Sequence, residues 1–148
     1  AAYLLLRGLK TLGLRVRRQN QSALEVARAL EQDDRISRVV YPGLESHPHH
    51  ARAAELFAGS GGMLAIELAG GAEVAERFTR GLAMVMHSAS LGGPESLVTR
   101  PATSSHAGVP AAEREALGIT DGLIRVSIGL EDPADILDDF DRALAAAH

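Results

Sequence analysis

Arg125 and Ser90 are the two side chains whose setting points most directly to chemistry. Arg125 stands in the middle of "LIRVSIG", an otherwise apolar run with strand character, where a guanidinium loses hydration that only an anion can replace. Ser90 lies in the polar stretch "HSASLGGPESLVTRPATSSH", residues 87–106, which Gly92, Gly93 and two prolines bend sharply. A guanidinium grips a carboxylate bidentately, and hydrogen bonds to such charged groups contribute about 1.5–3 kcal/mol each. A bound carboxylate would satisfy Arg125, and so would an internal partner such as Glu67, Glu95 or Asp121.

Other clusters carry less. "HPHH" sets His47, His49 and His50 together, but two are adjacent, Pro48 kinks the run and no H-E-x-x-H pattern accompanies them. The reading is a solvent-facing loop before a helix, with no metal site. Arg15, Arg17 and Arg18 open a long helix and read as a solvated or interface face. Lys10 is the one lysine; no glycine or serine loop activates it, so a structural role is expected.

The elements that must position Ser90 and Arg125 follow from periodicity and punctuation. "QNQSALEVARALEQDD" spaces Ala23, Leu24, Ala27 and Leu30 as one face of an amphipathic helix. "RISRVV" is a strand stopped by Pro42 and Gly43, "PHHARAAELFAG" a short helix, and "MLAIEL" a strand with a covered face. "GAEVAERFTRGL" is a helix, and "LAMVMH" a strand that delivers the chain into the polar stretch, read as a loop. After the short helix "VPAAEREALG" comes the strand "DGLIRVSIGLE". The last helix has Asp132 as N-cap, Pro133 at its first position, and an apolar face of Ile136, Leu137, Phe140, Ala143 and Leu144. Four strands with helices packed on one face give an α/β sandwich in which parallel and antiparallel pairing are both open.

Composition narrows the partners. At 148 residues one domain can bury its own core, and with 46% apolar but only 3% aromatic residues that core is aliphatic. A net charge of −4 without a basic run, and too few rings for base stacking, argue against nucleic acid. No apolar run reaches the ~20 residues that span a bilayer. Cysteine is absent, in keeping with a reducing compartment, and a cytoplasmic location is expected. The opening "AAYLLLRGLK" begins inside a helix already under way and reads as a piece cut from something longer.

"LLLRGLKTLGLR", "YPGLESHP", "GSGGMLAIEL", "SLGGPESLVTRPATSSH" and "GITDGLIRVSIGLED" follow one another in the order and spacing of one family. Across its whole length the chain resembles the C-terminal domain of the trans-sulfuration, or Cys/Met-metabolism, enzymes that depend on pyridoxal phosphate. These include cystathionine γ-synthase, cystathionine lyases, methionine γ-lyase and O-acylhomoserine sulfhydrylases. The resemblance implies a mainly antiparallel four-stranded sheet with helices on one side, the small domain of fold-type I enzymes. It implies that residues 1–148 are the substrate-clamping domain and that an upstream domain, absent from this chain, holds the cofactor and its lysine.

In that family the "SLGG" serine and the strand arginine hold the substrate α-carboxylate. These roles fall here on Ser90 and Arg125, with Ala89 and Leu91 flanking the serine. Gly92 lets the loop approach the ligand, and Ser105 and His106 are second-tier candidates. Ala89 replaces the glutamate typical of cystathionine γ-synthases and γ-lyases, which favours a methionine γ-lyase-like or related C–S lyase or sulfhydrylase specificity. Arg100, Ser104 and Ser105 also depart from the usual "HPASMTH". The implied function is making or breaking a C–S bond of a sulfur amino acid in a homotetramer, the chain being inactive alone. The competing reading is a stand-alone, non-catalytic carboxylate-binding or oligomerisation module.

Overall fold

The computed structural model describes residues 2–148. Helix α1 (Ala2–Leu9) turns at Lys10 and Thr11 into the long helix α2 (Leu12–Leu30), followed by β1 (Ile36–Val40), α3 (His50–Leu56), β2 (Met63–Leu68) and α4 (Gly71–Gly81). Short strands β3 (Met86–His87) and β4 (Leu97–Thr99) come next, then a 3-10 turn at Pro101–Thr103, α5 (Ala111–Ala116), β5 (Leu123–Ser127) and α6 (Pro133–Ala147).

The strands form one sheet in the order β1-β2-β5-β4-β3. Pairs β1–β2, β2–β5 and β4–β5 are antiparallel, and β3–β4 is parallel. The sheet therefore has five strands and is mixed, although mostly antiparallel, which corrects the expected four. Two local effects explain the difference. The run 82–87 pairs only at Met86 and His87, because the N–H groups of Ala83, Met84 and Val85 instead donate to the Asp139 carboxylate, at 2.9, 3.0 and 2.9 Å. The polar stretch read as a loop hides the apolar pair Leu97 and Val98, which is too short to show a period yet is buried in β4.

Side chains alternate across a strand, so each β residue chooses between two environments. Leu64, Ile66, Ile124 and Val126 face the helices and join Val26, Phe78, Ile136 and Phe140 in one core cluster. Burying each such side chain stabilises the fold by about 1.5–3 kcal/mol. Phe78 of α4 meets Phe140 of α6 edge to face, ring centroids 5.3 Å apart at 81°, and so fixes the two helices against each other. Asp132 caps α6 as expected, its Oδ1 accepting from the N–H of Ala134 at 3.0 Å, with Pro133 at the first turn.

The opposite face of the sheet carries Ala65, Glu67, Arg125 and Ser127. Helix α1 buries none of its residues, and Tyr3, Leu4, Leu5 and Leu6 are all exposed. No helix among the described residues is long and apolar enough to cross a membrane.

Candidate functional site

Arg125 occupies the middle of β5, opposite Ala65 of β2 on one side and Thr99 of β4 on the other. Its Nη2 donates to the carbonyl oxygens of Ala89 and Ser90, 2.9 Å each. Two residues along the same face of β5, Ser127 Oγ accepts the N–H of Gly92 at 2.9 Å. The i, i+2 spacing of a strand thus lays the 89–92 loop along the open side of the sheet. From α2, the buried Gln19 donates through Nε2 to the carbonyl oxygen of Gly93 at 2.7 Å.

The far end of the loop is latched separately. Ser96 donates through its N–H and its Oγ to the two oxygens of Glu131, 2.7 Å each, while accepting from the N–H of Gly129 at 2.8 Å. Leu130 N–H closes the latch on the Pro94 carbonyl at 2.7 Å. Gly92 adopts φ +77°, a left-handed conformation that glycine enters without steric cost.

None of the three carboxylates considered as internal partners neutralises Arg125. Glu67 pairs with Arg38 at 2.8 Å and Asp121 with Arg114 at 2.7 Å, while Glu95 makes no ion pair with Arg125 among the described residues. Arg125 Nε is sealed from solvent and has no acceptor there. A guanidinium held by two neutral carbonyls keeps its whole charge, and Nε lacks an acceptor among the described residues.

Ser90 and Arg125, paired from sequence, do meet, although through the serine's backbone carbonyl. Ser90 and Ala89 are exposed, as is Leu91. Ser105 is exposed beside the part-buried His106, its Oγ 2.9 Å from the imidazole Nδ1, and neither bonds to Arg125 or the 89–93 loop. Gln19 and Ser127 were not anticipated. Ser127 had a signal, its position two residues from Arg125; Gln19 lies 74 residues from its partner and had none.

Near the histidine run, His50 Nδ1 lies 2.9 Å from the carbonyl oxygen of Pro42, and His49 N–H donates to His47 Nδ1 at 3.2 Å. No group of three or more His, Cys, Asp or Glu among the described residues is arranged to hold a metal ion. Lys10 sits in the turn between α1 and α2, so the contacts that build the Arg125 site involve no lysine.

Fold and site together define an α/β domain in which the 89–92 loop is tied over a half-buried strand arginine. Residues 1–145 match the model of the Cys/Met metabolism PLP-dependent enzymes, and the chain belongs to that family. Cystathionine gamma-lyase of Mus musculus is 47% identical over 99% of this chain and 37% of its own length. L-methionine gamma-lyase of Pseudomonas deceptionensis is 43% identical over 98% of this chain and 36% of its own. The crystal structure of cystathionine gamma synthase from Xanthomonas oryzae pv. oryzae in complex with cystathionine superposes with a TM-score of 0.93 at 42% identity, covering 99% of this chain and 38% of that one. The chain therefore spans little more than a third of the relatives it matches.

Family membership implies pyridoxal phosphate as cofactor. The residues in contact with Arg125 supply no amine that could attach the cofactor covalently.

Proposed function

We propose that this chain is the C-terminal, substrate-clamping part of a pyridoxal-phosphate enzyme that makes or breaks a C–S bond of a sulfur amino acid. Arg125 and Ser90 hold the substrate α-carboxylate. The observation that carries this reading is the Arg125 guanidinium itself, aimed by the carbonyls of Ala89 and Ser90 yet left without a carboxylate and with Nε unpartnered.

The clamp contributes orientation. A carboxylate fixed on Arg125 cannot rotate about the substrate α-carbon, so the bond to be broken is presented in one direction only. The Ser90 hydroxyl, exposed on the same loop, can donate a second hydrogen bond to the carboxylate. Ser127 and Gln19 keep the loop from drifting while the ligand enters. The electron-sink chemistry belongs to the cofactor, bound mainly by polypeptide outside this chain. The exposed apolar surface of α1 supports that placement, because a patch of this kind marks a surface meant to be covered, by the rest of the enzyme or by other subunits of a homo-oligomer. In isolation the chain takes up no pyridoxal phosphate at a specific lysine.

The test is Arg125→Ala in the enzyme-length protein. KM for every amino-acid substrate should rise roughly 10- to 100-fold, from the loss of a charge-assisted contact, while cofactor absorbance stays that of the parent. Unchanged kinetics would reduce Arg125 to a structural residue.

A further inference from the structure

Arg100 is a second arginine whose charge the fold does not satisfy. It ends β4 and enters the 3-10 turn, locked in place by its own carbonyl, which accepts from Ser104 Oγ at 2.7 Å and from Thr103 N–H at 3.1 Å. Its side chain is 9% exposed. Nε is sealed from solvent without an acceptor, and the sole ionic partner among the described residues is Glu76, whose Oε2 is 3.6 Å from Nη1, beyond hydrogen-bond reach.

Glu76 is already committed. Its Oε1 lies 2.6 Å from Nη2 of Arg80, one helical turn along α4. One carboxylate thus serves two guanidiniums and leaves a positive charge over. A largely buried guanidinium that donates no hydrogen bond among the described residues is costly, and an anion reaching its Nη groups would lower that cost.

The space for one is present. A cavity of about 340 Å³ opens between α4 and the β3–β4 edge, lined by Glu76, Thr79, Arg80, His87, Arg100 and Thr103. Two planar guanidiniums facing one cavity match the oxygens of a phosphoryl group, which can accept from both at once and brings more charge and more acceptor oxygens than the Glu76 carboxylate that already lies between them. We propose that this cavity binds a phosphate-class oxyanion between Arg100 and Arg80.

Inorganic phosphate is the probe, titrated into the protein at constant ionic strength and followed by calorimetry, with acetate as the carboxylate comparison. One saturable site is expected, roughly tenfold or more weaker in Arg100→Gln and in Arg80→Ala, since each removes charge-assisted hydrogen bonds. Arg80 is 79% exposed, so Arg80→Ala keeps the fold even if Arg100→Gln does not. Absence of saturable binding, or affinity unchanged in Arg80→Ala, would overturn the site. Acetate binding as tightly as phosphate would overturn the ligand class.

Discussion

Ser127 accepts the N–H of Gly92 at 2.9 Å from a position two residues beyond Arg125 on one strand face. The residue that presents the positive charge and the residue that anchors the loop are therefore carried by the same rigid element. Their separation is set by the strand repeat, and loop and guanidinium move together.

That coupling separates positioning from binding. Ser127→Ala and Gln19→Ala each delete one loop anchor and leave Arg125 intact. In the enzyme-length protein each should raise KM by less than Arg125→Ala does, roughly three- to tenfold for one neutral hydrogen bond. The double variant should approach Arg125→Ala, because the two anchors restrain adjacent residues, Gly92 and Gly93. Steady-state kinetics with cofactor absorbance as control would show it. Single and double variants all matching the parent would mean that Arg125 alone holds the loop.

Two glycines of this region are required for different reasons, and alanine tells them apart. At Gly92 an added Cβ would meet nothing within 4 Å, but φ is +77°, so Gly92→Ala should cost about 1 kcal/mol of backbone strain. At Gly129 the Cβ would be driven into the Pro94 carbonyl oxygen and the Glu95 carbonyl carbon, backbone atoms held by the Ser96–Glu131 latch. Gly129→Ala should cost about 3 kcal/mol or more, through overpacking and the lost latch. Urea denaturation of the two variants would reverse this ordering only if the latch yields freely.

The parts legible in the sequence were those where local pattern and tertiary environment agree. The α6 cap and its stripe, and the strands around "MLAIEL" and "LIRVS", are such cases, with Ile136, Phe140, Ala143 and Leu144 all buried. Strand β4 is hidden in the sequence because three residues between turn formers carry no period, and β3 is shorter than its apolar run because a side chain takes the N–H groups a ladder would use. Within the site, the cost of an unpaired charge in a strand singles out Arg125 as needing a partner, and the family resemblance, not that cost, implies that the Ser90 segment lies beside it. The use of carbonyls rather than the hydroxyl was not, since backbone direction in a loop depends on anchors elsewhere in the chain. Asp139 had a visible warning: it falls three residues after Ile136 on the buried stripe, where a carboxylate needs a reason to be.

That reason leads to a prediction about acid stability. Asp139 is wholly buried, Oδ1 accepting from Ala83 N–H and from Arg142 Nη2, and Oδ2 from the N–H groups of Met84 and Val85. Burial pushes its carboxyl upward, but the hydrogen bonds from Val85, Ala83 and Met84, with the charge of Arg142, outweigh burial and hold the pKa below the ordinary 3.8. A carboxyl whose pKa falls on folding contributes stability that is complete above the unfolded value and is lost as pH drops through the lower folded one. The acid limb of the stability curve should therefore set in as pH falls towards the unfolded value of 3.8 and continue down through the lower folded one. Asp139→Asn removes that contribution at every pH and turns an amide N–H₂ toward a backbone donor, so it should cost about 2–4 kcal/mol near neutrality. Its acid limb should be shallower than the parent's, since Asp33, held low by its hydrogen bond to Arg35, would still titrate. Urea midpoints from neutral pH down to about pH 3, taken for both proteins, would show curves converging in acid; parallel curves would mean that the Asp139 charge contributes nothing to folding.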